Sequence, residues 1–136
     1  MNLRRLLLVM LGGMLGTAGR LGIELLLPHS GGFPFATLIA NVLGALLIGI
    51  LASRPFDRLR DRGDKLRGRG QDTRLFLGTG ILGGFTTYSA FAVGSVGLWT
   101  ESPFAAVVYV MLTLGLGIGA AACGLNRGRP RVRGIE

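Results

Sequence analysis

Nine consecutive residues, Gly83-Gly84-Phe85-Thr86-Thr87-Tyr88-Ser89-Ala90-Phe91, interrupt an otherwise apolar run from Leu75 to Trp99. Paired glycines, three hydroxyls and three aromatic rings are the wrong composition for the middle of a lipid-facing helix. An unmatched polar group is costly in hydrocarbon, so such a stretch must line a cavity or be buried in protein. A helix broken at that depth offers peptide carbonyls and hydroxyls, the groups from which membrane ion sites are built. Tyr88 and Phe91 stand three positions apart, on one helix face. Their ring edges could present weakly positive C–H groups to a small anion, and conduction needs binding favourable enough for entry yet weak enough for exit. The plainer alternative is an aromatic pair packed as core.

Two further polar side chains lie in apolar surroundings. Asn41 is the only strongly polar residue well inside FPFATLIANVLGALLIG, with Thr37 one turn earlier. Its amide either ties helices together or turns its NH₂ to an ion. Arg20, in GGMLGTAGRLG, has Glu24 one turn further along. An intramembrane arginine marks a functional site by default. Arg20 either snorkels and pairs with Glu24, or sets a fixed positive charge in a water-filled vestibule that attracts an anion. Gly12 and Gly16 have the small-xxx-small spacing of close helix packing.

These residues need membrane-spanning helices to position them. The chain has 136 residues, 49% hydrophobic, mean hydropathy +0.53 and 24 glycines, more than twice the usual share for a soluble domain. Apolar segments at about residues 6–27, 33–53, 75–99 and 103–125 are each long enough to cross a bilayer. The fold class is an all-α membrane protein of four transmembrane helices in one domain, with the third helix broken near mid-membrane. The Arg-rich start resembles a signal peptide, but three spans follow, so it reads as a retained first helix. A chain this short cannot enclose a wide pore alone, which implies an oligomer.

Fourteen of the 15 Lys and Arg residues fall on one side: Arg4 and Arg5, eight in the loop 54–74, and four in the tail from Arg127. The loops on the other side carry none, so both termini and the basic loop are expected in the cytoplasm. The net charge of +8 does not indicate nucleic-acid binding, because the basic segments flank spans and lack interleaved aromatics. Cys123 and His29 are single residues of their kinds, which excludes an internal disulfide framework and a soft-metal cluster. Cys123 reads as a small packing residue and His29 as a solvated loop residue. With no nucleophile, base dyad or phosphate loop, the chain does not read as an enzyme.

Three blocks, GG-x-x-G-x-x-x-R at Gly12–Arg20, P-x-x-T-x-x-x-N at Pro34–Asn41 and G-x-x-GG-x-TT-x-S-x-F at Gly80–Phe91, resemble the Fluc/CrcB fluoride channel family. The resemblance implies a multi-pass protein of the bacterial cell membrane that lets cytoplasmic fluoride escape passively, lowering its toxicity. It implies an antiparallel dimer with two pores and a structural, untransported Na⁺ held by the backbone carbonyls of Gly83 and Thr86 from each subunit. Asn41, Ser89 and Phe91 would line the pore, with Thr87 and Tyr88 beside them and Arg20 in the vestibule. The chain departs from the family pattern at Tyr88, where phenylalanine is usual, at Ala90, where threonine is usual, and at Ala36, where glycine is common.

Two other functions compete with this reading. A small multidrug-type proton-coupled transporter needs a membrane-embedded carboxylate, for which Glu24 is the candidate, yet Arg20 would hold it ionised. A non-transporting assembly protein would tolerate leucine at Asn41 and Phe91. Single-gene members of the family insert in both directions, which requires a weak charge bias. The strong bias here implies a fixed orientation and pairing with an oppositely oriented homologue rather than with a second copy. A reporter fused to the C-terminus should therefore be cytoplasmic in nearly all copies; comparable cytoplasmic and external populations would exclude the heterodimer.

Overall fold

The computed structural model describes residues 2–27, 32–53 and 64–128; His29, the basic stretch 54–63 and the tail arginines beyond residue 128 lie outside them. Among the described residues the chain is helical without strands: α1 (Leu3–Leu26), α2 (Phe35–Ser53), α3 (Asp64–Arg74), a π-helical segment (Leu75–Leu82), α4 (Gly83–Phe85), α5 (Tyr88–Glu101) and α6 (Pro103–Gly128). Four stretches are long and apolar enough to span a bilayer: Leu3–Leu26, Phe35–Ser53, Gly70–Glu101 and Pro103–Arg127. The chain is a multi-pass membrane protein.

The helix ends follow local chemistry. Pro34 precedes α2, and its carbonyl accepts the Leu38 N–H at 3.1 Å; proline suits a helix start because the missing N–H would be unpaired there anyway. Between α5 and α6 stands Ser102 alone. Its hydroxyl accepts the Ala105 N–H at 3.3 Å, its carbonyl accepts the Ala106 N–H at 3.1 Å, and Pro103 opens the next helix. So tight a turn lays α6 back along α5.

Residues 64–74, assigned by sequence to the basic connection, form a helix that leads into the third span. Composition does not favour it, with glycines at 68 and 70. Tertiary contacts hold it instead. Arg4 and Arg5 of α1 meet the Asp72 carboxylate at 3.0 and 3.4 Å, and Arg5 also donates to Gln71 Oε1 at 2.9 Å.

Glycine sets the helix contacts. α1 lies against the π-helical segment and α4, and α2 lies along α6. A Cβ added at Gly12 would stand 2.6 Å from the Phe76 carbonyl oxygen and 2.9 Å from Gly80 Cα; one at Gly16 would overlap the Ile81 carbonyl. Gly49 and Gly124 meet the backbone of α6 and α2 in the same way. Without hydrophobic drive between helices in lipid, such backbone-to-backbone contact supplies much of the packing. Gly16→Val should therefore lower the unfolding stability in detergent by about 1–3 kcal/mol or more. Gly22→Ala on the same helix, with nothing within 4 Å of the new methyl group, should be neutral or stabilising. Equal tolerance of both would refute this packing.

Candidate functional site

In the third span the helical path stops at Phe85 and resumes at Tyr88. Thr86 (φ −81°, ψ 146°) and Thr87 (φ −143°, ψ 122°) are extended. Peptide groups that leave a helix need other partners when buried, and those of the Thr86, Thr87 and Ala90 N–H groups can be traced. The Thr86 N–H still reaches the Leu82 carbonyl at 3.0 Å, and the Thr86 hydroxyl donates to the same oxygen at 2.9 Å. The Thr87 N–H, which in a continuous helix would bond Gly83, donates instead to Asn41 Oδ1 at 2.9 Å. The Thr87 carbonyl accepts from Asn41 Nδ2 at 3.1 Å. The Ala90 N–H, which would bond Thr86, donates to Thr87 Oγ1 at 3.2 Å and so caps α5. Gly83 and Thr86 thus have carbonyls whose usual helical donors are engaged elsewhere.

Asn41 serves the Thr87 peptide as a neighbouring strand would, with one donor and one acceptor. Gly44, three residues along on the same face of α2, leaves room for the Thr86 methyl group, which a Cβ would overlap. An asparagine amide has two N–H donors, so one remains after the bond to Thr87. Asn41 also borders an open cavity of about 360 Å³ together with Thr86, Thr87, Tyr88, Phe91 and Thr113. The two roles left open by sequence, helix tie and ion donor, are therefore compatible in one side chain.

Four of the five residues singled out for a pore, Asn41, Thr87, Tyr88 and Phe91, border that cavity. Ser89 does not; it is exposed, with its hydroxyl 3.1 Å from Thr87 Oγ1. The rings of Tyr88 and Phe91 lie 6.1 Å apart at 44°. Tyr88 is 81% exposed, so a single chain walls only one side of it. Phe91 turns its other side to Tyr109, at 5.5 Å, and Tyr109 meets Phe33 edge-on at 5.4 Å. Ala90 borders a separate cavity of about 310 Å³ that also touches Thr37, Glu24 and Glu101.

Arg20 pairs with Glu24 at 2.6 Å, both side chains about three-quarters buried. Its Nε is buried without a hydrogen-bond partner. Sequence reasoning passed over Tyr109 and Thr113. Tyr109 is fully buried, and the Thr113 hydroxyl donates to its carbonyl at 2.8 Å. Their i, i+4 spacing in an apolar span was the available signal, but by itself it does not separate a polar track from core packing.

The family model described as "CrcB-like protein, Camphor Resistance (CrcB)" matches residues 7–125. The chain belongs to the CrcB family. Its similar relatives include "Fluoride-specific ion channel FluC 2" of Leifsonia xyli subsp. xyli (strain CTCB07), 41% identical over 92% of this chain and 83% of the relative. The "Fluoride-specific ion channel FluC" of Paracoccus denitrificans (strain Pd 1222) is 42% identical over 89% of this chain and 91% of the relative. That of Methylobacterium sp. (strain 4-46) is 43% identical over 85% and 89%. All three sequence blocks of this CrcB chain, Gly12–Arg20, Pro34–Asn41 and Gly80–Phe91, lie inside the matched region.

The Asn41–Thr87 pairing can be tested in this CrcB chain by stability alone. Asn41→Leu leaves the partly buried Thr87 N–H without a partner, at about 1–3 kcal/mol. Asn41→Asp keeps the acceptor for the Thr87 N–H and removes the donor to its carbonyl. Chemical unfolding in detergent should show Asn41→Leu clearly less stable than wild type. An unchanged midpoint would refute the pairing.

Proposed function

We propose that this chain forms a fluoride-specific channel that passively exports cytoplasmic fluoride through a multi-pass structure in the cell membrane. The observation that carries this reading is the gathering of Asn41, Thr87, Tyr88 and Phe91 around one cavity where the third span leaves the helix. The names of its CrcB-family relatives point the same way.

Fluoride is small, tightly hydrated and a strong acceptor, so a narrow path must replace its water with fixed donors. The second Asn41 N–H, the one hydroxyl proton left free by the Thr87–Ser89 pair and the ring edges of Tyr88 and Phe91 do so without a full positive charge that would trap the ion. Arg20 serves as a vestibule charge. Its pairing with Glu24 keeps the site from acting as a strong sink. Export needs no enzymatic step. Neutral HF enters and ionises inside, and a negative-inside potential drives the anion out by about 2.3 kcal/mol per 100 mV.

The active unit in this reading is an antiparallel dimer. Tyr88 and Ser89 project from the surface of one chain, where a second subunit would complete the pathway. The break in the third helix lies near mid-membrane, and the Gly83 and Thr86 carbonyls from each subunit would hold a structural Na⁺ at the dimer centre. These carbonyls fit such an ion, because their helical donors are drawn away to Asn41 and Thr87 and hard oxygen ligands suit a hard cation. Bound Na⁺ would supply the positive charge that the diverted N–H groups no longer provide. The one-sided basic residues support cytoplasmic termini and an oppositely oriented homologue as partner.

The Arg20–Glu24 pair weighs against a proton-coupled drug exporter, since that carboxylate is committed to a cation. Proteoliposomes carrying the chain with an oppositely oriented homologue should release fluoride without ATP. Phe91→Leu should slow the release by at least about tenfold, a barrier change near 1.4 kcal/mol. Vesicles that retain fluoride with the companion present would overturn the channel reading. Unchanged release by Phe91→Leu would remove that ring from the pathway.

A further inference from the structure

The N-terminal end of α1 and the end of α3 form a charged cluster at the polar margin of two spans. Both carboxylate oxygens of Asp72, whose side chain is 13% exposed, are taken: Oδ2 by Arg4 and Oδ1 by Arg5. Two guanidiniums against one carboxylate leave a surplus positive charge. Arg4 uses one nitrogen on Asp72 and is 75% exposed, so most of its five N–H donors face outward.

Beside this cluster runs a groove of about 380 Å³, bordered by Arg4, Asp72 and Thr73 and by Leu8, Phe76 and Leu77. The pattern is the same on both walls. Four residues after Arg4 comes Leu8, four after Asp72 comes Phe76, and four after Thr73 comes Leu77. Both chain segments run in the same sense into their spans, so each wall changes from polar to apolar about one turn into the groove. The site suits an amphiphile with an anionic head. A small water-soluble anion would use the rim and leave the apolar walls uncovered.

We infer that this groove binds an anionic phospholipid, with its phosphate on Arg4 and an acyl chain against Leu8, Phe76 and Leu77. The inference rests on membrane insertion alone, not on which ion the chain conducts. The lipid would tie the start of α1 to the third span on the side that the charge bias places in the cytoplasm, where anionic headgroups attract basic residues. It would act in parallel with the deeper Gly12–Gly80 contact.

Native mass spectrometry of the full chain in detergent, titrated with phosphatidylglycerol or phosphatidylcholine, reads this directly. Phosphatidylglycerol should be retained preferentially. Arg4→Gln should reduce that preference about fivefold, the loss expected for one basic contact, and Arg4→Lys should largely preserve it. Leu8→Trp, which fills the groove and keeps the charge, should lower retention of phosphatidylglycerol and decides the matter if Arg4→Gln does not fold. Inorganic phosphate and glycerol 1-phosphate should not compete at matched concentration. Equal retention of the two lipids, an unchanged preference in Arg4→Gln, unchanged retention in Leu8→Trp, or competition by free phosphate would each overturn the proposal, the last by reassigning the rim to a soluble anion. Fluoride release is not read, so failure here leaves the channel reading untouched.

Discussion

A peptide group that leaves the helix inside a membrane span must find its partners within the protein, because lipid supplies none. In this chain that constraint falls on Thr86 and Thr87, and one side chain meets it for Thr87. The Asn41 amide takes both the N–H and the carbonyl of Thr87, while the Thr87 hydroxyl turns back to cap α5. The extended segment is thereby held in place, with the Gly83 and Thr86 carbonyls released from helical donors. In the proposed function those carbonyls serve the Na⁺, and the remaining Asn41 N–H serves the anion.

The rest of the fold brings Asn41 to Thr87 and keeps it there. α2 is fixed along α6 through the reciprocal Gly49 and Gly124 contacts, and Gly44 admits the Thr86 methyl beside Asn41. From the other side, α1 presses Gly12 and Gly16 against the backbone of the π-helical segment and α4, and Thr17 donates to the Gly84 carbonyl at 3.4 Å. Glycine at 12, 16, 49 and 124 is thus a positional requirement, since a single methyl group there would meet main chain that cannot rotate aside. The high glycine content, which would weaken a soluble helix, acts here as the means of close approach.

Much of this was legible in the sequence. Four spans follow from hydropathy and length, and the Gly83–Phe91 stretch is conspicuous because hydroxyls and paired glycines are out of place in lipid. What the sequence could not supply is pairing across helices. Asn41 and Thr87 are 46 positions apart, and no local pattern states that the amide will serve a peptide on another helix. The helix at 64–74 was hidden for the same reason, because its polar, glycine-containing sequence is held by arginines from α1. Ser89 stands outside the cavity that the other four pore candidates share, its hydroxyl beside Thr87 on the exposed face, a placement that its motif does not state. Tyr109 escaped notice because an isolated ring in an apolar span has the signature of ordinary packing.

The most direct test of the central claim is the backbone conformation at Thr86 and Thr87 in a lipid bilayer, read from solid-state NMR carbon chemical shifts. The account predicts extended-region shifts at these two residues, flanked by helical shifts at Phe85 and Tyr88. Helical shifts running unbroken from Leu82 to Phe91 would contradict it.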